Sequence, residues 1–219
     1  MNRTMRALEI LDSLKDEYPN AAPLLHYRNP FELLVSVILS AQTTDAQVNR
    51  ITPELFRRYP GPEELAAAVP EDVEQLVHSV GFFRTKARNI RAAAHVVAHE
   101  YGGVLPDTIE KLVRIPGVGR KSANVLLSHV FEKPGIIVDT HFSRVTRRLG
   151  LTGQTDPERI ERDVAAFLPP DSRTSFSMTV NYHGRYCCKA RRPECFRCVV
   201  RRLCDYPQKT EAPEPGDAE

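Results

Sequence analysis

The sequence predicts an all-α protein, and three observations carry the prediction. Apolar residues recur at helical spacing in one segment after another. Strict alternation of apolar and polar residues over strand length is missing. Proline and glycine clusters at 59–62, Gly102-Gly103, Pro116-Gly117, 133–135 and Pro169-Pro170 divide the chain into pieces that suit helices of ordinary length.

Leu8, Leu11 and Leu14 mark the apolar stripe of an N-terminal helix. The stretch Phe31 to Ala41 (FELLVSVILSA) is apolar nearly all round, which predicts a helix in the middle of a bundle rather than on its surface. Ile51 and Leu55, then Val73, Leu76, Val77 and Val80, then Ile90, Ala94 and Val97 each mark a face of a further helix. Residues 112–126 (LVRIPGVGRKSANVL) read as helix, four-residue hairpin, helix, with Leu112, Ile115, Val118, Ala123 and Leu126 packed between the two arms. Asp139 is placed to cap a basic helix bearing Arg144, Arg147 and Arg148, and Ile160, Val164 and Phe167 mark the helix after that. No internal repeat and no Gly/Ser linker separates the halves, so two domains would share a packed interface.

The 219 residues, 42% hydrophobic and 26% charged, suit one large domain or two modest ones. No apolar run reaches about 18 residues, and charges fill the first stretch, where a signal peptide would need an apolar core. Membrane-spanning and secreted classes are therefore excluded, and a cytoplasmic location is expected. The net charge of +2 is too small to argue nucleic-acid binding for the whole chain. Its distribution says more: Arg185, Lys189, Arg191, Arg192, Arg197, Arg201 and Arg202 are crowded around Glu194 as their single acid up to Cys204. Residues 207–219 are acidic and proline-bearing, and a disordered tail is expected there.

All five cysteines fall between Cys187 and Cys204, which in a cytosolic chain points to a metal or cluster rather than disulfides. Cys188, Cys195, Cys198 and Cys204 are spaced C-x6-C-x2-C-x5-C. Four thiolates in one loop can close on zinc or hold the corners of a [4Fe–4S] cube, and the spacing matches neither the common zinc patterns nor the ferredoxin run. A charge run stapled by such a centre is rigid and can hold Lys189 and Arg191 toward phosphates. In the hairpin, Gly117 and Gly119 remove side chains beside a helix N-terminus, so backbone N–H groups, with Arg120, can meet a phosphate without reading sequence.

The full pattern L-x-x-I-P-G-V-G-R-K-S-A resembles the helix-hairpin-helix base-excision glycosylases, and among them the endonuclease III family, over about residues 29–206. The resemblance implies a two-lobed helix-hairpin-helix DNA glycosylase fold with DNA between the lobes. Residues 23–133 would form a six-helix domain carrying the hairpin, and residues 1–22 with 134–206 the cluster domain. It implies a [4Fe–4S] cluster on the four spaced cysteines, with Cys187 left over, and an activity of DNA glycosylase with abasic-site lyase on oxidised pyrimidines. The partner would be duplex DNA with damaged bases or abasic sites, bound by a monomer associated with the nucleoid.

Two roles must then be filled: an amine that attacks the sugar C1′, and a carboxylate that assists it or stabilises developing positive charge. Lys121 and Asp139 fit them, and a helix N-terminus with partial desolvation would favour an unprotonated amine at Lys121. Residues 39–45 (LSAQTTD) resemble the family's stretch ending Gln-Ala-Thr-Asp, whose glutamine enters the space left by the flipped nucleotide; here that residue is Gln42. Residues 81–87 (GFFRTKA) resemble the loop in which a leucine commonly wedges against the opposite strand, and Phe82 stands in its place. Lys86, Arg88 and Arg91 on the helix that follows are candidate phosphate contacts. The alternatives are a noncatalytic helix-hairpin-helix and iron–sulfur DNA-binding module, or a mismatch or uracil glycosylase on the same scaffold.

Overall fold

A computed structural model describes residues 2–21 and 24–212. Among the described residues the chain is helical throughout, with no strand. None of its helices is long and apolar enough to cross a membrane. The chain forms two compact units, Pro23–Lys133 and Met1–Ala22 with Pro134–Glu219.

In the unit Pro23–Lys133 the organising element is α2 (Pro30–Leu39), in which every residue from Phe31 to Leu39 is buried. Asn29 caps it by accepting from Glu32 N at 2.9 Å. The acidic Glu32 is buried because it accepts from Arg28 N at 2.7 Å and from Arg28 Nε at 2.9 Å. Around α2 stand α3 (Asp45–Arg58), α4 (Pro62–Ala66), α5 (Pro70–Val77), α6 (Phe83–Glu100), α7 (Ile109–Leu112) and α8 (Arg120–Val130). That is one helical segment more than the six expected. The one-turn α4 follows Gly61 directly and is too short to carry an apolar period, so the sequence pattern gives no sign of it. Leu33, Leu34, Leu55, Leu65, Ile90, Leu112 and Leu126 share its core.

The other unit packs α1 (Arg3–Glu17), α9 (Thr140–Arg148), α10 (Pro157–Phe167) and α11 (Pro170–Tyr186) around Ile10, Leu14, Phe142, Val164 and Phe176. Phe142 and Phe176 meet edge to face, 6.0 Å between ring centres. A Cβ at Gly184 would stand 2.9 Å from His141 Cβ and 3.1 Å from Val145 Cγ2, so glycine is what lets α11 lie this close to α9. The cysteine loop follows α11 and holds two short 3₁₀ turns, Cys195–Arg197 and Arg201–Leu203.

Thr210 and Glu211, expected in a disordered tail, are instead tied to the cysteine loop. Thr210 Oγ1 accepts from Cys195 N at 3.1 Å and donates to Pro193 O, and Arg201 reaches Thr210 O at 3.0 Å and Glu211 at 2.5 Å. A threonine that satisfies loop backbone groups fixes this stretch to the cysteine loop; residues 213–219 lie outside the described residues.

Candidate active site and nucleic-acid interface

The hairpin between α7 and α8 is a tight turn made by its glycines. Ile115 N bonds Leu112 O and Val118 N bonds Ile115 O, each at 3.0 Å, and Gly117 takes φ +81° between them. A Cβ there would meet a left-handed backbone and stand 3.0 Å from Ile38 Cγ2 and 3.2 Å from Asn89 Cβ, so the turn needs glycine twice over. Gly119 is the N-cap of α8 and gives no side-chain cap, and nothing lies within 4 Å of where its Cβ would be. The first-turn N–H groups are thereby open to an anion. Lys121 sits in that first turn and is exposed, so the partial burial expected of its amine is not present in the protein alone.

The two loops read as reaching into DNA are neighbours in the same unit. Gln42 is exposed at φ +54°, and its carbonyl oxygen stands 3.9 Å from the Cβ position of Gly81. Phe82 is 68% exposed, takes φ +58°, and is the N-cap of α6. A large aromatic held in water on a left-handed backbone is costly, and such strain collects at functional loops. Phe83 instead packs on the core and against His78, the two rings tilted with 4.8 Å between their centres. Ser79 Oγ accepts from Gln47 Nε2 at 2.6 Å, tying the loop before Gly81 to α3.

Lys86 needs a correction. Expected as a phosphate contact, it is buried, and its Nζ donates to Thr43 Oγ1 at 2.6 Å. Its burial follows from the helix period: 86, 90, 93, 94 and 97 lie on the inward face of α6. Desolvation pushes its pKa below the ordinary 10.5. Lys86 therefore holds the Gln42 loop from beneath. The outward face of α6 carries Arg84, Arg88 and Arg91 instead, lining a groove with Pro70 and Glu74 of α5.

In the other unit, Asp139 caps α9, its Oδ1 accepting from Phe142 N at 2.8 Å. Its Oδ2 accepts from Asn181 Nδ2, and Asn181 Oδ1 in turn accepts from Arg185 Nε at 2.8 Å. Sequence reasoning missed Asn181, because a single asparagine within a helix carries no periodic signal. The spacing Asn181-x-x-x-Arg185 on one helix face was the available hint.

Cys188, Cys195, Cys198 and Cys204 line one cavity with Val145, Leu149, His183, Arg148, Tyr206 and Cys187, and all five thiols are free of disulfides. Arg148 Nη1 donates to Cys188 Sγ at 3.4 Å, and Cys204 Sγ donates to Arg148 O at 3.3 Å. Burial raises the pKa of Cys188 and Cys204. Cys187 is not remote from this group: His183, Cys187 and Cys198 present ligand atoms within 4.8 Å of one another. Nearness to Cys187, with help from His183 and against burial, holds the Cys198 thiol well below its ordinary range. In the basic run, Lys189 and Arg197 both pair with Glu194, while Arg191 is exposed.

Comparison with known proteins places these features. Residues 35–170 match the model of the HhH-GPD superfamily of base excision DNA repair proteins. The chain is 48% identical to Endonuclease III of Synechocystis, with 93% of each chain covered. It is 35% identical to Endonuclease III of Escherichia coli K12, covering 96% of this chain and all of the other. Among solved structures, a trapped Endonuclease III–DNA covalent intermediate superposes with a TM-score of 0.87 at 39% identity over 93% of this chain and 96% of that one. A thermostable thymine-DNA glycosylase, 22% identical over 94% and 98% of the two chains, shares the fold with a TM-score of 0.84. The chain belongs to the endonuclease III family of the HhH-GPD base excision DNA repair proteins.

Proposed function

We propose that this chain is a bifunctional DNA glycosylase and abasic-site lyase that removes oxidised pyrimidines from duplex DNA, with Lys121 as the amine and Asp139 as the carboxylate. The observation that carries the reading is the exposed amine of Lys121 in the uncapped first turn of α8, directly after a glycine turn shaped for a phosphate backbone.

The Lys121 amine adds to C1′ while the damaged base leaves with the electrons of the glycosidic bond and gains a proton. Opening of the sugar ring gives a Schiff base between Lys121 Nζ and C1′. Loss of a C2′ proton then expels the 3′ phosphate, and water releases the cut strand from Lys121. Asp139 stabilises the positive charge that gathers on the sugar as the base departs. Gly117, Gly119 and Arg120 hold the phosphate backbone. Gln42 and Phe82 fill the space vacated by the flipped nucleotide, which offsets an unstacking cost of a few kcal/mol. A noncatalytic module is not favoured for a chain of this family.

Cys188, Cys195, Cys198 and Cys204 fit a [4Fe–4S] cluster, because all four are thiol donors facing one cavity whose walls include Val145 and Leu149. When bound, the cluster supplies a fixed structural staple for the loop. The chain's own Lys189 and Arg191 make the phosphate contacts.

The test uses a duplex with one oxidised pyrimidine, reading base release by alkali treatment and strand cleavage without it. Both signals are expected, in comparable amounts. A protein that binds this duplex tightly and releases no base contradicts the reading.

A further inference from the structure

We propose that Asn181 is a positioning residue for Asp139, itself held in its donating orientation by Arg185. The inference rests on the reading of Asp139 as the carboxylate of the excision step.

Asn181 and Arg185 stand four residues apart on α11, one above the other on the same face. Arginine has donors only, so the bond from Arg185 Nε to Asn181 Oδ1, 2.8 Å long, fixes which end of the amide is oxygen. The amide nitrogen is thereby turned to Asp139 Oδ2, to which it donates. Asp139 Oδ1 is already committed to Phe142 N at 2.8 Å.

An ordinary N-cap carboxylate is anchored at one oxygen, and the other is free to swing. Here the two oxygens are anchored by different helices, so the carboxylate cannot rotate about its Cβ–Cγ bond without breaking one bond. The close approach of α9 and α11 at Gly184, one turn from Asn181, makes the second anchor possible. All three side chains are half-buried, so the network ends at the surface rather than in the core. A carboxylate fixed before the substrate arrives need not reorganise as charge develops.

The experiment compares Asn181→Leu in the wild-type and in the Asp139→Asn background. It measures single-turnover excision at saturating protein, duplex affinity and melting temperature. Asn181→Leu is expected to slow the single-turnover step about tenfold and to change affinity less than about twofold. Asn181→Gln, which keeps the amide, should recover part of the rate. In Asp139→Asn, adding Asn181→Leu should cost nothing more, because its path of action is already gone. If Asn181→Leu lowers the melting temperature sharply, Asn181→Ser carries the same comparison.

A wild-type rate for Asn181→Leu, with Asp139→Asn strongly slowed, overturns the positioning role alone. An undiminished loss in the Asp139→Asn background overturns it as well, since that marks a packing effect. Unchanged excision by Asp139→Asn itself overturns the catalytic reading of Asp139, and the positioning role falls with it.

Discussion

The ammonium of Lys86 lies 2.6 Å from Thr43 Oγ1 in a buried position, where desolvation disfavours its charge. Burying a cation costs stability, yet here it ties α6, which Phe82 caps, to the loop that presents Gln42. Lys86→Met should therefore raise stability by about 1 kcal/mol, or about 2–4 °C in melting temperature. It should also slow excision about tenfold by loosening the Gln42 loop.

The pH dependence of that gain has a defined sign. The folded-state pKa of Lys86 lies below the ordinary 10.5, so the unfolded chain binds the proton more readily. The cost of Lys86 is present in full below its folded pKa and disappears as pH rises to the unfolded value. Melting curves of wild type and Lys86→Met should differ most near about pH 7 and converge near about pH 10. A difference that grows with pH contradicts this account.

The groove beside α6 should show in the salt dependence of binding. Arg84 has Glu74 only at 3.8 Å, and the buried Arg91 Nε has no hydrogen-bond partner. Positions 84, 88 and 91 span about 10 Å along the helix, the length of about three phosphates on one strand. Replacing Arg84, Arg88 and Arg91 together by Gln should lower the slope of log K against log salt by about 2–3. An unchanged slope means that this face of α6 does not meet the backbone.

The cysteine loop offers a choice between two donor sets. The spacing selects Cys188, Cys195, Cys198 and Cys204, whereas His183, Cys187 and Cys198 lie within 4.8 Å of one another. Iron and acid-labile sulfide should be retained by Cys187→Ser and lost by Cys188→Ser. Retention by Cys188→Ser with loss by Cys187→Ser reverses the ligand assignment.

Much of this was legible in the sequence, for reasons that differ by element. The apolar run at 31–39 allowed α2 no place but a core, and the glycines at 117 and 119 left little doubt about the turn. Lys86 was misplaced because its charge outweighed its position, although it stands one turn before Ile90 on the stripe of Ala94 and Val97. Asp139 reads from its neighbours as a helix cap and as the catalytic acid only through the family resemblance, and the structure has it capping α9 while keeping a second oxygen for Asn181. That second bond depends on tertiary packing of α9 against α11, which no local pattern encodes. Thr210 was read as tail by composition alone, since two hydrogen bonds to a loop leave no mark on the sequence.

The central claim, that Lys121 is the amine, is tested most directly by borohydride trapping on a duplex with one abasic site. Wild type should give a covalent protein–DNA adduct, and Lys121→Ala should give none while still binding the duplex. An equal yield of adduct from Lys121→Ala would place the nucleophile elsewhere, and a wild type that binds tightly without trapping would contradict the lyase reading.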